Sequence, residues 1–240
     1  MRKLIRCHPQ DLKVVVLQNN IWPAAATVYR PNIYRGNYYE YNDDAITFPA
    51  GREWRWDDLR SMRLMSDRVQ KIIDTAKRTD IYVKPDAERR GADICFLIAT
   101  LNGIYTIENT DGNNPYWQSD YGYVHFTYVP PGNQAYAGKD LYLFGELTNY
   151  STDDASRMIY NSERGIYEGT LFLKQGYYNI YLCICRCKGK ILLIVFSFAS
   201  TEGNFNTTEN NYMVLVYYRA FGARADELIG YAQLNTLSLR

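Results

Sequence analysis

Short apolar runs alternating with polar residues recur along nearly the whole chain, which is the signature of half-buried β-strands. In the first half they predict strands over 12–18, 38–42, 53–57, 80–84, 94–100, 103–108 and 121–129. In the second half they predict strands over 141–145, 166–173, 177–186, 191–198 and 211–218. In GTLFLKQG, alternation sends Leu171 and Leu173 one way and Thr170, Phe172 and Lys174 the other. YMVLVYY, by contrast, is apolar on both faces and predicts a central strand. The Asn-Gly of LNGIY (101–105) between two apolar runs predicts a hairpin. Only one stretch, Asp58–Thr79, carries a loosely helical spacing, through Leu59, Met62, Val69, Ile72 and Ile73. KILLIVFSF (190–198) is far too short to span a bilayer and predicts a buried strand or a covered edge.

The stretch VPPGNQAYAGKD (129–140), with two prolines and two glycines, marks a break between the halves. The expected fold is therefore all-β, with two β-sandwich-like domains over 1–132 and 133–240. With 240 residues and 47% apolar content, the chain can bury a substantial core. Its net charge of +1 argues against a nucleic-acid-binding surface. The strongest bias is 23 tyrosines, which suit strands and, where exposed, binding surfaces.

Catalytic patterns are sparse. The Asp-Asp pairs at 43–44, 57–58 and 153–154 point to opposite faces of any strand and so form no acid/base pair. No Gly-x-Ser-x-Gly occurs, and neither RGNYYEYN nor AGKD has the ending of a phosphate loop. His125 reads as a strand residue with a satisfied ring. The cysteines Cys7, Cys95, Cys183, Cys185 and Cys187 are odd in number and do not read as a disulfide framework. In CICRC all three thiols fall on one strand face, but the spacing is not that of a zinc site. No enzyme activity, cofactor or metal is expected. The N-terminus as written carries no export signal, and a strand starting so near it suggests upstream sequence.

Protein interfaces are anchored by aromatic and arginine side chains. REWRWDDLRSMR concentrates Arg52, Trp54, Arg55, Trp56, Arg60 and Arg63, with Arg52, Trp54 and Trp56 on one face of an ideal strand. The competing reading puts the tryptophans in the core and pairs the arginines with Asp57, Asp58 and Asp67.

A series of strings, among them DLKVVVLQNNIWPAA, FPAGREWRWDDLRSMRLMSDRV, LYLFGELTNY and TENNYMVLVYYRAFG, resembles the Plug family of the Bacteroidetes type IX secretion system. The resemblance runs from about Asp11 to Asn235 in unbroken order. It implies a periplasmic, outer-membrane-associated protein that occludes the pore of the translocon barrel when no cargo carrier occupies it. Family members usually carry a signal peptide and a further β domain ahead of the position matching Asp11. They are usually more polar where this chain has CICRCKGKILLIVFSFAS. The second half also resembles the early-set immunoglobulin-like domain of glycogen-binding modules, which have a tryptophan where this chain has Tyr150. That resemblance implies an alternative, a sugar platform built from Tyr150 with Tyr178 or Tyr181.

Overall fold

The computed structural model describes residues 8–36, 38–42, 44–90, 100–188 and 193–239. Among them it is all-β, joined by 3₁₀ turns of three or four residues. Residues 1–50 contribute β1 (Leu12–Gln18), β2 (Ala26–Val28), β3 (Ile33–Arg35) and β4 (Tyr38–Glu40). Residues 51–206 contribute β5 (Arg55–Asp58), β6 (Val69–Asp74), β7 (Thr79–Val83), β8 (Asp86–Ala87), β9 (Tyr105–Thr106) and β10 (Tyr121–Val129). They continue with β11 (Asp140–Phe144), β12 (Arg157–Asn161), β13 (Ile166–Lys174), β14 (Tyr177–Lys188) and β15 (Leu193–Ser197). The last residues add β16 (Asn211–Tyr218) and β17 (Glu227–Asn235).

The chain divides into two compact units, one of residues 1–50 with 207–240 and one of residues 51–206. This corrects the expected boundary at 132/133. The Pro/Gly stretch only turns β10 into β11, with Gly132 and Gly138 both at φ +63°. Pairing crosses it freely: β10 runs antiparallel to β13 from Tyr121↔Lys174 to Tyr128↔Tyr167, and β5 and β9 both pair with β14. There is accordingly no separate immunoglobulin-like sandwich over 133–240, because that segment supplies strands to both units. Turn-forming residues mark a reversal of the chain, and whether a reversal is also a boundary depends on pairing they do not encode.

The first unit is built on β1. Its run LKVVVLQ is buried on both faces, and β1 lies inside a four-stranded sheet ordered β17-β16-β1-β2. Val14 and Val16 pack with Ala26 and Val28 on one face, and Val15 and Leu17 with Leu215 on the other. The second unit carries a sheet of eleven strands whose main path is β15-β14-β11-β12-β13-β10-β7-β6. All pairings in it are antiparallel except β10 with β7 and with β8. Leu59, Ile81, Val124, Leu141 and Ile180 lie fully buried in its core.

The helix expected within Asp58–Thr79 does not form. Asp58 Oδ1 accepts the Arg60 N–H, and Ser61 Oγ accepts those of Arg63 and Leu64, so side chains take the backbone donors of what would be a first helical turn. The chain then enters β6, which pairs with β7 across a turn where Thr75 N–H and Oγ1 both donate to the Arg78 carbonyl. Leu59, Met62 and Val69 do reach the core, but from a turn and a strand. The turn of LNGIY is present, with Asn102 at φ +53° and Gly103 at φ +91°. The strand expected over 94–100 lies, but for its last residue, outside the described residues.

The continuous sheet of the second unit makes a prediction. A protease cut within 131–139 leaves fragments still joined by the β10–β13, β5–β14 and β9–β14 ladders. They should co-elute on native size exclusion and separate only in denaturant, whereas separation without denaturant would contradict this topology.

Candidate functional site

The predicted anchor segment folds mostly inward. Arg52, Trp54 and Arg55 are buried, Trp56 and Arg60 are half-buried, and only Arg63 is exposed. β5 begins at Arg55, so the even–odd alternation breaks there and consecutive residues 54 and 55 both face inward. The Trp54 indole stacks on Tyr181, with centroids 3.7 Å apart and planes 5° apart. It lies so close to Gly103 that a Cβ there would sit 2.5 Å from its ring, so this turn position needs glycine for space as well as for its positive φ. As interface anchors, Arg52, Trp54 and Arg55 are therefore ruled out by burial. Trp56, stacked with Tyr177 at 6.0 Å, and Arg60, 5.8 Å over the same tyrosine ring, form a small half-buried patch.

Arg55 lies at the centre of a buried ionic cluster. Its Nε donates to both oxygens of the fully buried Glu202 at 3.0 and 3.1 Å, its Nη1 to Asp86 Oδ1 at 2.8 Å, and its Nη2 to the Ala87 carbonyl at 2.8 Å. Arg89 Nε also donates to Glu202 Oε2 at 2.7 Å, and the Leu182 N–H donates to Oε1 at 2.8 Å. Burial pushes the Glu202 pKa up, but Arg55 and Arg89 more than offset it and hold the carboxyl below its ordinary range. Of the partners expected for the arginines, Asp58 does take Arg60. Asp57 lies 3.5 Å from Arg68, and Asp67 takes no arginine among the described residues.

The sugar-platform tyrosines are also not surface rings. Tyr178 is buried, donates its hydroxyl to the Lys174 carbonyl at 2.6 Å, and stacks on Tyr105. Tyr181 is buried, and its hydroxyl donates to the Arg52 carbonyl. Tyr150 is half-buried at φ +53°, edge-on to Phe144 at 5.8 Å. Burial, with Glu146 adding to it, pushes its phenol up to about 12. Cys183 and Cys185 are buried with sulfurs 3.6 Å apart, as their shared face requires. The side chain of Cys187, with Cys7 and Cys95, lies outside the described residues.

An exposed aromatic surface lies on the outer face of β10 and β13. The register sets Tyr121 beside Lys174, Tyr123 beside Phe172 and His125 beside Thr170, all turned away from the core. Phe172 is 59% exposed, Tyr121 52% and Tyr123 38%. The Phe172 ring lies 5.3 Å from Tyr121 and 5.0 Å from Tyr123, so the three form one continuous strip. Cations border it: Lys174 Nζ lies 5.6 Å over Tyr121, and the Arg78 guanidinium 5.4 Å over Tyr123. The alternation of GTLFLKQG placed Phe172 on this face, but pairing with β10 was needed to bring the tyrosines beside it.

At one end of this strip, His125 Nε2 lies 2.8 Å from Asp80 Oδ1 and its Nδ1 lies 3.0 Å from Thr170 Oγ1. The hydrogen bond from His125, with Arg78 adding to it, holds Asp80 below the ordinary carboxylate range. A hydroxyl–imidazole–carboxylate chain is the order used for nucleophilic catalysis. Here it crosses three neighbouring strands, with His125 opposite Thr170 of β13 and opposite Tyr82 of β7. It links side chains of β7, β10 and β13 across the face of the sheet.

Asp57 is fully buried, and neither carboxylate oxygen has a hydrogen-bond partner among the described residues. Burial pushes it up to about 7, against the pull of Arg68 and Arg55 and with the nearby Asp86 adding to the rise. Between about pH 4 and 7 the folded chain then holds a proton that the unfolded chain releases, so this group's contribution to stability falls as pH rises through 7. Asp57→Asn should gain stability relative to the parent on going from pH 5 to pH 8, with a slope of at most about 1.4 kcal/mol per pH unit. Thermal melts of the two chains check this, and a difference independent of pH would contradict it.

No family model and no curated protein matches the chain. Among solved structures it is similar to a hypothetical protein from Parabacteroides merdae ATCC 43184, at 32% identity and a TM-score of 0.85. The match covers 95% of this chain and 56% of that protein, so the chain spans little more than half its length.

Proposed function

We propose that the chain is a non-enzymatic interaction module of the type IX secretion system. In this reading it sits at the periplasmic side of the outer membrane and occludes the translocon barrel. The strings that resemble the Plug family support it, and the similar solved structure comes from a Bacteroidetes species. The observation that carries it is the exposed strip of Tyr121, Tyr123 and Phe172 on a rigid sheet. Occlusion is steric and needs a stiff body and a docking face, with no reacting group. Truncating central aromatic anchors in protein interfaces commonly costs about 2 kcal/mol or more, roughly thirtyfold in affinity.

The carbohydrate reading keeps one observation in its favour. Trp117 is 82% exposed and Tyr116 76%, and Lys174 Nζ donates to the Tyr116 carbonyl beside the strip. Against it, Tyr121, Phe172 and Tyr123 pack on one another, which leaves less ring face for a sugar.

Affinity capture from outer-membrane extracts tests the proposal. The parent chain should recover the translocon barrel, and Tyr123→Asp combined with Phe172→Asp should lose at least tenfold of it while melting within a few degrees of the parent. Capture without the barrel, or equal capture by the double variant, would overturn the proposal. Saturable heat with maltoheptaose that Trp117→Ala abolishes would favour the carbohydrate reading.

A further inference from the structure

The sheet of the first unit loses its cover from one side to the other. β1 is buried on both faces, β16 is mostly half-buried, and β17 is exposed on both. Leu228 is 53% exposed, Tyr231 70% and Leu234 45%. Among the described residues β17 pairs only with β16, so its outer edge presents a row of backbone N–H and C=O groups without partners. Natural sheets block such edges with lysine, proline, short strands or bulges. β17 is nine residues long, contains neither lysine nor proline, and carries its one charge, Glu227, at its first position. A bulge lies near its start, where Leu228 faces Tyr217 and Gly230 faces Val216, leaving Ile229 unpaired. Beyond the bulge, Gly230–Asn235 is regular and uncharged.

We infer that Gly230–Leu234 pairs antiparallel with the same segment of a second copy of this chain, with Ala232 opposite Ala232 at the two-fold axis. The outward backbone groups alternate along a strand, so self-pairing must be centred on a residue and not between two. A centre at Tyr231 would draw the bulged Ile229 into the ladder opposite Gln233. A centre at Ala232 keeps the bulge outside the regular stretch and sets Leu234 over Gly230, where a Cβ would meet nothing nearer than Val216 Cβ at 4.0 Å. It also sets Tyr231 beside Gln233 on the other face, and no charge meets a like charge anywhere in the pair. The pairing is isologous and closes after two copies, joining two four-stranded sheets into one of eight.

Sedimentation of the chain between about 1 μM and 1 mM should show the mass rising from one copy toward two. Ala232→Lys places two cations against each other at the axis and should weaken association at least tenfold while leaving circular dichroism and melting unchanged. Leu234→Lys serves the same purpose should the first variant fold poorly. With the parent as background, Ala232→Cys should be joined by a short thiol cross-linker far faster than Gln233→Cys, whose copies are offset by the register. A chain that stays monomeric throughout, a dimer that persists in both lysine variants, equal linking at 232 and 233, or assembly beyond two copies would each overturn the inference.

Discussion

One buried carboxylate joins the large sheet where β14 changes partners. β14 changes partners along its length: one edge pairs with β5 from Tyr177 to Ile180 and with β15 from Ile184 onward. Between them, Leu182 would be left with an unpaired N–H and C=O inside the core. Glu202 accepts that N–H, and Thr201 Oγ1 donates to that carbonyl at 2.5 Å. Glu202 also holds Arg55, the residue of β5 at which the first pairing ends. An unsatisfied buried backbone group costs about 1–3 kcal/mol, and an uncompensated buried charge more, so this joint is expensive to open.

The placement of the arginines follows from that. Arg55 and Arg89 are required to compensate a carboxylate with no exposure, and Arg55 with Arg68 also holds Asp86. A guanidinium suits such a site because its several donors can serve a carboxylate and a carbonyl together. With the joint closed, β10 and β13 belong to a sheet that runs unbroken from β15 to β6. The aromatic strip they carry spans the β10–β13 ladder, with β7 pairing β10 on the other edge at Tyr123.

Some of this architecture was legible in the chain. β1, β10 and β16 occupy the expected residues, because long β-branched or tyrosine-rich runs with clear alternation leave few other choices. β17 is not legible in the sequence, because Gly230 and the bulge at Ile229 interrupt its alternation. The helical spacing of Leu59, Met62 and Val69 was a coincidence of turn and strand positions. In REWRW, ideal alternation would set Trp54 and Arg55 on opposite faces, whereas the structure buries both. The tyrosine excess suits an exposed aromatic strip, but its members, Tyr121, Tyr123 and Phe172, meet only through pairing across more than forty residues of sequence. Local patterns cannot carry that information, and Glu202, far from Arg55 in the chain, was invisible for the same reason.

The claim that Glu202 joins the sheet of residues 51–206 into one cooperative body is tested most directly by amide hydrogen exchange on Glu202→Gln. Removing the charge leaves Arg89 without its carboxylate and Arg55 with only Asp86, which it shares with Arg68, so amides of β5, β11 and β14 should lose protection together, by a common factor. Loss confined to the few residues around 198–205, with β5 and β14 still protected as in the parent, would contradict the account.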